Sequence, residues 1–411
     1  MLQWDIPSNW GLIRLGDVAP EVSSQVTPKN ENNITFNYWS LDAISQGQMD
    51  EPQPNYVLGS TISSTCVSFT SEHVLYAKLR PYLNKVIVPS VNGIGSTEWV
   101  VLAPNPSLLD RKYLGYVLRT NNFVQHMTES SAGARMPRAR KDVLFDSQIP
   151  VPFPNDPARS LETQKRIVLR LETLLGEVKS ARELQESIEE DTGQLLDAFL
   201  GEIFSEKSNW DVFPISRFAE VKGGKRLPKG EKFAEGTTQY PYLRVVDFKD
   251  FSIEKESLKY LTPEIQQTIR RYTISKEDVY ISIAGTIGLV GTIPPELDGS
   301  NLTENAAKIV FRPEYKEKID PLFVAYYLAS PSGKEQIKKY TMAAGQPKLA
   351  LIRIQTIEVP LPDVNIQKSI VNRISTVREE ISEMQRAQRE NAELLEQTEQ
   401  SLLAQAFRGE L

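Results

Sequence analysis

Apolar residues recur at alternating steps of three and four along two stretches of this chain. Between about 160 and 204 they fall at Ile167, Leu171, Leu174, Val178, Ala181, Ile188, Leu195 and Phe199. Between about 366 and 407 they fall at Ile370, Ile374, Val377, Ile381, Met384, Leu395 and Leu402. Such spacing is the seam of a coiled coil. Roughly 45 residues at 1.5 Å each predict two helices on the order of 65 Å long. The seam is interrupted by Gln185 and Thr192 in the first stretch, and by Gln388, Asn391 and Thr398 in the second. Gln185 and Gln388 lie near the helix centres. In an antiparallel pair they could meet at a pseudo-two-fold axis and fix the register; a solvated position on the helix surface is the other reading.

The residues ahead of each helix have a different texture. Short β-branched and aromatic runs, such as 242–246, 279–283 and 308–311, are punctuated by glycine and proline and read as strands. Segments 113–118 and 322–328 are the best helix candidates inside these regions. Pro152, Pro154 and Pro157 precede the first long helix, and Pro360 and Pro362 the second; proline ends a strand or opens a helix, so these steps mark boundaries. The expected fold is α+β: two mainly-β globules in tandem, separated by two long antiparallel coiled-coil helices with pseudo-two-fold symmetry.

Internal repetition supports that division. Asn9 and Trp10 ahead of Leu15 correspond to Asn209 and Trp210 ahead of Ile215. Ala132-Gly133 precedes Ile149-Pro150-Val151-Pro152, as Ala344-Gly345 precedes Val359-Pro360-Leu361-Pro362. Gln164-Lys165 with Ile167-Val168 and Arg170 matches Gln367-Lys368 with Ile370-Val371 and Arg373. Ala198-Phe199 with Gly201-Glu202 matches Ala406-Phe407 with Gly409-Glu410. The offset stays between 200 and 212 along the chain. The domains expected are 1–157 and 207–363 as globules, with 158–206 and 364–411 as helices.

Composition excludes several classes. With 411 residues, 26 prolines and 40% apolar content the chain is an ordinary folded protein of two to four units. No run approaches the roughly 18 apolar residues of a membrane helix. The opening Met1-Leu2-Gln3-Trp4-Asp5 lacks the pattern of a secretory signal. One cysteine, Cys66, permits no intrachain disulfide and fits a reducing cytoplasm. The net charge of −6 hides an uneven distribution. Residues 159–206 hold 6 basic and 11 acidic side chains, and 367–411 hold 6 and 8, which leaves 35 basic and 34 acidic elsewhere. The globules are therefore free to carry basic patches. The acidic helix faces are either solvated or meet basic or polar helices of a partner.

No catalytic constellation is visible. An Asn/Asp-Pro-Pro-aromatic motif, a Gly-x-Gly-x-x-Gly loop and a phosphate-binding Gly-x-x-x-x-Gly-Lys-Ser/Thr loop are all lacking. His73 and His126 have no companion cysteines, so no zinc site is expected and both read as surface or core histidines. Glu314 and Lys316 form a nuclease-like fragment without the upstream aspartate such a site needs.

Taken in order, these motifs resemble the specificity subunit of type I restriction–modification systems over nearly the full chain. Pro7-Ser8-Asn9-Trp10 before Leu15-Gly16-Asp17 looks like the start of a target recognition domain in that family. The run from Asp278 through Gly285-Thr286-Ile287-Gly288 is close to its strand and Gly-Thr-Ile-Gly turn. The run from Val74 through Lys78-Leu79-Arg80-Pro81-Tyr82-Leu83-Asn84-Lys85 is similar to the alternative form of that turn. Ser96-Thr97-Glu98-Trp99 and Thr303-Glu304-Asn305 fall where the next strand is expected. The resemblance implies a non-catalytic subunit in which each globule reads one half of a split, asymmetric double-stranded DNA sequence. It also implies that the helices dock two methyltransferase subunits, that restriction subunits join the complex, and that S-adenosylmethionine, ATP and Mg act in those partners and not in this chain. A coiled-coil adaptor that binds protein, or a DNA-binding regulator working without a methyltransferase, are the alternatives the residues leave open.

DNA contact calls for cations on loops, backed by amide or aromatic groups that reach base edges. Arg135, Arg138, Arg140 and Lys141 form the densest basic loop of the first globule, and Gln346, Lys348 and Arg353 are their repeat mates. Lys78, Arg80 and Lys85 in one half, and Lys222, Lys225, Arg226 and Lys229 around Gly223-Gly224 in the other, are the next candidates. Tyr38, Trp39, Tyr242 and Arg244 follow the first variable loop of each half, where their aromatics either line a groove or belong to the core.

Overall fold

The computed structural model describes residues 2–22, 24–31, 33–48, 51–132, 135–205, 210–342 and 347–411. Two compact units result: Met1–Glu186 with Arg389–Leu411, and Ser187–Gln388. The fold is α+β, and each unit contains part of both long helices, Pro157–Ser205 and Val364–Phe407. Among the described residues no helix is long and apolar enough to cross a membrane.

Both long helices begin alike. The Asp156 carboxylate accepts the Arg159 N–H at 3.2 Å, and that of Asp363 accepts the Asn365 N–H at 2.9 Å. Each aspartate thus caps otherwise unpaired N–H groups of a first turn. The second helix stops at a glycine. Gly409 adopts φ +71° and Glu410 N–H returns to the Gln405 carbonyl at 3.0 Å, a closure that favours glycine.

In the first unit, strand Val74–Ala77 pairs antiparallel with Val86–Ile87 and with Trp99–Leu102. Its side chains alternate between two cores. Val74, Tyr76, Val100 and Leu102 face the helices Arg111–Arg119 and Asn121–Glu129 together with Ile167, Leu171, Leu403 and Phe407. Leu75, Ala77, Trp99 and Val101 face Trp39 and Phe69. A five-stranded sheet over residues 25–96 completes this unit. The helix segments run antiparallel within it, with Arg182 pairing to Glu399 at 3.0 Å.

The second unit repeats the plan. Strand Val279–Ser282 lies between Val290–Thr292 and Ala306–Phe311, which in turn pairs with Ala219–Gly223. Helices Pro321–Ala329 and Pro331–Tyr340 cover the face that also receives Leu200, Ile203 and Ile374. Here too the helix segments are antiparallel: Gln388 Nε2 donates to Thr192 Oγ1 at 2.8 Å, and Arg373 lies over the Phe199 ring.

Two expectations need correction. Tyr242 belongs to strand Pro241–Leu243, but Val245–Asp247 is a 3₁₀ turn, so the strand is shorter than 242–246. Of the boundary prolines, Pro360 closes strand Glu358–Pro360, Pro157 opens the first long helix, and Pro152, together with Pro150, lies in strand Gln148–Pro152. That strand forms a two-stranded ribbon with Trp10–Arg14, so a missing N–H on its open edge removes no ladder bond. The seam also shifts: Ile188 and Leu195 are 43% and 41% exposed, whereas Leu200, Ile203, Leu403 and Phe407 are buried. Toward their C-terminal ends both helices pack into globules as well as on each other, which turns a different stripe inward.

Candidate nucleic-acid interface

One junction occurs in both units. In the first, Lys78 N–H donates to the Glu98 carbonyl at 3.0 Å, Ala139 N–H to the Lys78 carbonyl at 2.7 Å, and Arg80 N–H to the Pro137 carbonyl at 2.7 Å. Leu79 forms an isolated bridge with Arg138. In the second, Ile283 N–H donates to the Asn305 carbonyl at 2.8 Å and Leu349 N–H to the Ile283 carbonyl at 3.0 Å. Ala284 forms the matching bridge with Lys348. Three segments distant in sequence are thereby fastened at one edge of each unit, and Arg138 and Lys348 occupy equivalent places. Fixed main chain beneath exposed cations suits the positioning of a polyanion.

The candidate cations divide by what already holds them. Arg80 and Arg135 are exposed and make no ion pair or side-chain hydrogen bond among the described residues. Arg138 grips Glu98 at 2.9 Å, Arg140 pairs with Asp142, and Lys141 pairs with Glu21. These pairs are solvent-exposed and worth little, so a phosphate can compete for the cations. The first two pairs leave a signature: Glu98 raises the Arg138 guanidinium above its ordinary value, and Arg140 lowers the Asp142 carboxyl. Lys78 and Lys85 differ. Their ammonium groups donate to the Thr97 and Leu41 carbonyls at 2.8 and 2.7 Å, which ties them to the fold.

In the second unit Lys229, Lys348 and Arg353 are exposed without a partner among the described residues. Lys222 pairs with Glu220 at 2.8 Å and Arg226 with Glu304 at 3.2 Å. Lys225 lies over the Tyr272 ring, 5.8 Å from its centroid. Gly224 has a packing reason: a Cβ there would lie 2.1 and 2.3 Å from the Thr303 and Leu302 carbonyl oxygens. Gln346, and the glycines Gly133 and Gly345 of the repeated loops, lie outside the described residues.

Four of the aromatic and basic candidates are occupied internally. Trp39 is fully buried, and Tyr38 is half-buried against the cluster of Ile62, Cys66 and Ile94, with burial pushing its phenol up. Tyr242 is buried, donates to the Lys225 carbonyl at 2.9 Å, and is pushed up to about 12, chiefly by burial. The Arg244 guanidinium is held by Asp247 at 2.7 Å and by the Ser257 carbonyl at 2.7 Å. For the aromatics the core reading is the one the geometry supports. Among the register candidates, Gln388 is buried on Thr192, and Gln185 is half-buried.

Sequence reasoning passed over Arg270, Arg271 and Tyr272. All three are exposed directly after helix Pro263–Ile269, Tyr272 lies under Lys225, and the two adjacent arginines next to a tyrosine were the available signal. Among the described residues no cluster of His, Cys, Asp and Glu could hold a metal ion.

Comparison with known proteins places this geometry. The model of the type I restriction modification DNA specificity domain matches residues 7–190 and again 207–394. The type I restriction enzyme EcoBI specificity subunit of Escherichia coli is 24% identical over 72% of this chain and 64% of its own length. The chain thus spans slightly under two thirds of that relative. The MjaVIII specificity subunit of Methanocaldococcus jannaschii is 22% identical over 94% of this chain and 90% of its own length. A chain solved in work on complex assembly and conformational transition of the type I R-M system shares the fold, with TM-score 0.82, 22% identity and full coverage of both chains. The HsdS subunit from Thermoanaerobacter tengcongensis gives TM-score 0.60 at 22% identity over 99% of this chain and 98% of that one. With two specificity domains that together cover most of its length, the chain belongs to the type I restriction–modification DNA specificity family.

Proposed function

We propose that this chain is the non-catalytic DNA-recognition subunit of a type I restriction–modification complex, each unit reading one half of a split, asymmetric target. The observation that carries the reading is the repeated junction. In both specificity domains the same three segments are fastened together under exposed cations, Arg80 and Arg135 in one and Lys225, Lys348 and Arg353 in the other. Residues 24–70 and 225–275 differ in strand content between the units, which supports two unlike half-sites. In this reading the long helices set the separation of the half-sites and dock two methyltransferase subunits. S-adenosylmethionine, ATP and Mg²⁺ act in the partners, among them the restriction subunits.

The test is selection from a pool of random duplexes by the chain copurified with a type I methyltransferase subunit of the same host. Enrichment of two defined blocks at a constant gap supports the reading. Unselective retention, or none, overturns it. Binding should also fall steeply with salt, as phosphate contact requires.

A further inference from the structure

The two units solve one turn differently. Ala77 N–H donates to the Lys85 carbonyl at 3.0 Å, and Ser282 N–H to the Leu289 carbonyl at 2.9 Å, which closes the turn in each. With the junction bonds this aligns Arg80 with Gly285 and Asn84 with Gly288. All four have positive φ: 51° and 49° for Arg80 and Asn84, 75° and 90° for Gly285 and Gly288. Glycine adopts this region freely and asparagine tolerates it, whereas arginine is strained there.

Among the described residues nothing in the fold accounts for a side chain at this place. A Cβ added at Gly285 meets no atom within 4 Å among the described residues, so these leave the equivalent position in the second unit open. Arg80 is exposed, and its guanidinium has no partner among the described residues. Its backbone, in contrast, is fixed from both sides. Its N–H donates to the Pro137 carbonyl at 2.7 Å, and its carbonyl accepts from Leu83 N–H at 2.9 Å. A strained, exposed residue without a side-chain partner among the described residues, held firmly beside the loop that carries Arg135, has its purpose in the side chain.

We infer that Arg80 is a DNA-contact residue peculiar to the first unit. Its guanidinium fork takes two acceptors at once, guanine O6 and N7 or a pair of phosphate oxygens, and the second unit has no counterpart. The inference rests on the DNA-recognition reading above.

The experiment compares wild type, Arg80→Gly and Arg80→Lys, each as the full chain with its methyltransferase subunit. Methylated adenines are mapped across a genome, and the melting temperature of each complex is measured. Arg80→Gly should melt at or above the wild-type temperature, because glycine relieves the positive φ. Methylation of the wild-type motif should nevertheless drop roughly tenfold or more. A base contact relaxes one position in one half of the motif, and Arg80→Lys does not restore it. A phosphate contact lowers methylation evenly, and Arg80→Lys largely restores it. Wild-type methylation by Arg80→Gly overturns the inference, as does a marked fall in its melting temperature, which would give Arg80 a role in the fold. A wild-type complex without a split motif would instead sink the underlying DNA-recognition reading.

Discussion

The side-chain oxygen of Gln164 accepts the backbone N–H of Asp110 at 2.8 Å. The same glutamine donates to the Leu108 carbonyl at 2.9 Å, and Asp110 caps helix Arg111–Arg119 through the N–H groups of Lys112 and Tyr113. The second unit repeats the device: Gln367 accepts from Asp320 N–H at 2.9 Å and donates to the Lys318 and Pro362 carbonyls. Both glutamines are buried. A long helix is thereby keyed to the N-terminus of a globule helix. Gln164→Leu or Gln367→Leu, which strands a buried N–H and a carbonyl, is expected to cost about 2–4 kcal/mol. Hydrogen exchange is expected to show the loss concentrated around the affected capped helix; an unchanged protection pattern would refute the keying role.

Gly224 lies between Gly223 and Lys225, and its N–H donates to the Ala306 carbonyl at 3.0 Å. Because a Cβ there would collide with two main-chain carbonyls, Gly224→Ala should destabilise the second unit by roughly 3 kcal/mol or more. Gly236→Ala, where a Cβ meets nothing within 4 Å among the described residues, is the control and should change little. Denaturant titration of both variants checks the contrast.

Stability should fall at alkaline pH. Burial pushes the Tyr242 phenol up to about 12 and raises Tyr76, Tyr113 and Tyr280 as well. A group whose folded value lies above its unfolded value of about 10 contributes fully below pH 10, and its contribution is lost as pH rises through the folded value. For Tyr242 alone the loss between about pH 10 and 12 is on the order of 2–3 kcal/mol. Ultraviolet titration should show these phenolates appearing only as the chain unfolds. Smooth titration of all tyrosines near pH 10 in a folded protein would contradict the burial.

The salt dependence of DNA binding separates free cations from internally held ones. Arg135→Ala should weaken binding and lower the slope of log affinity against log salt by about 1. Lys85→Met should leave that slope unchanged, because the Lys85 ammonium is bound to the Leu41 carbonyl. Glu98→Gln releases Arg138 and removes a negative charge, so it should tighten binding at low salt, and the gain should disappear at high salt.

The long helices were legible because their periodicity repeats over many turns. Their register toward the C-terminal ends was not. There Leu200 and Ile203 meet Phe218 and Phe323 of a globule, and a heptad count holds no information about a globule surface. The tandem architecture followed from self-similarity, and the helices Arg111–Arg119 and Pro321–Ala329 from dense apolar runs. Pairing within the site was hidden. Arg138 and Glu98 stand 40 residues apart, and their segments meet through Lys78, whose N–H donates to the Glu98 carbonyl and whose carbonyl accepts from Ala139 N–H. Tyr242 and Arg244 occupied the right region, but an aromatic and a cation there serve the core and a 3₁₀ turn as readily as a groove. Gln164 and Gln367 were conspicuous as repeat mates, while their hydrogen-bond partners in other segments emerged only from the fold.

The most direct test of DNA recognition is a map of methylated adenines in cells that express this chain with its methyltransferase subunit, compared with cells that express the methyltransferase alone. The account predicts one new split motif, two defined blocks around a constant unspecified gap, that depends on this chain. A stable complex that adds no such motif would contradict it.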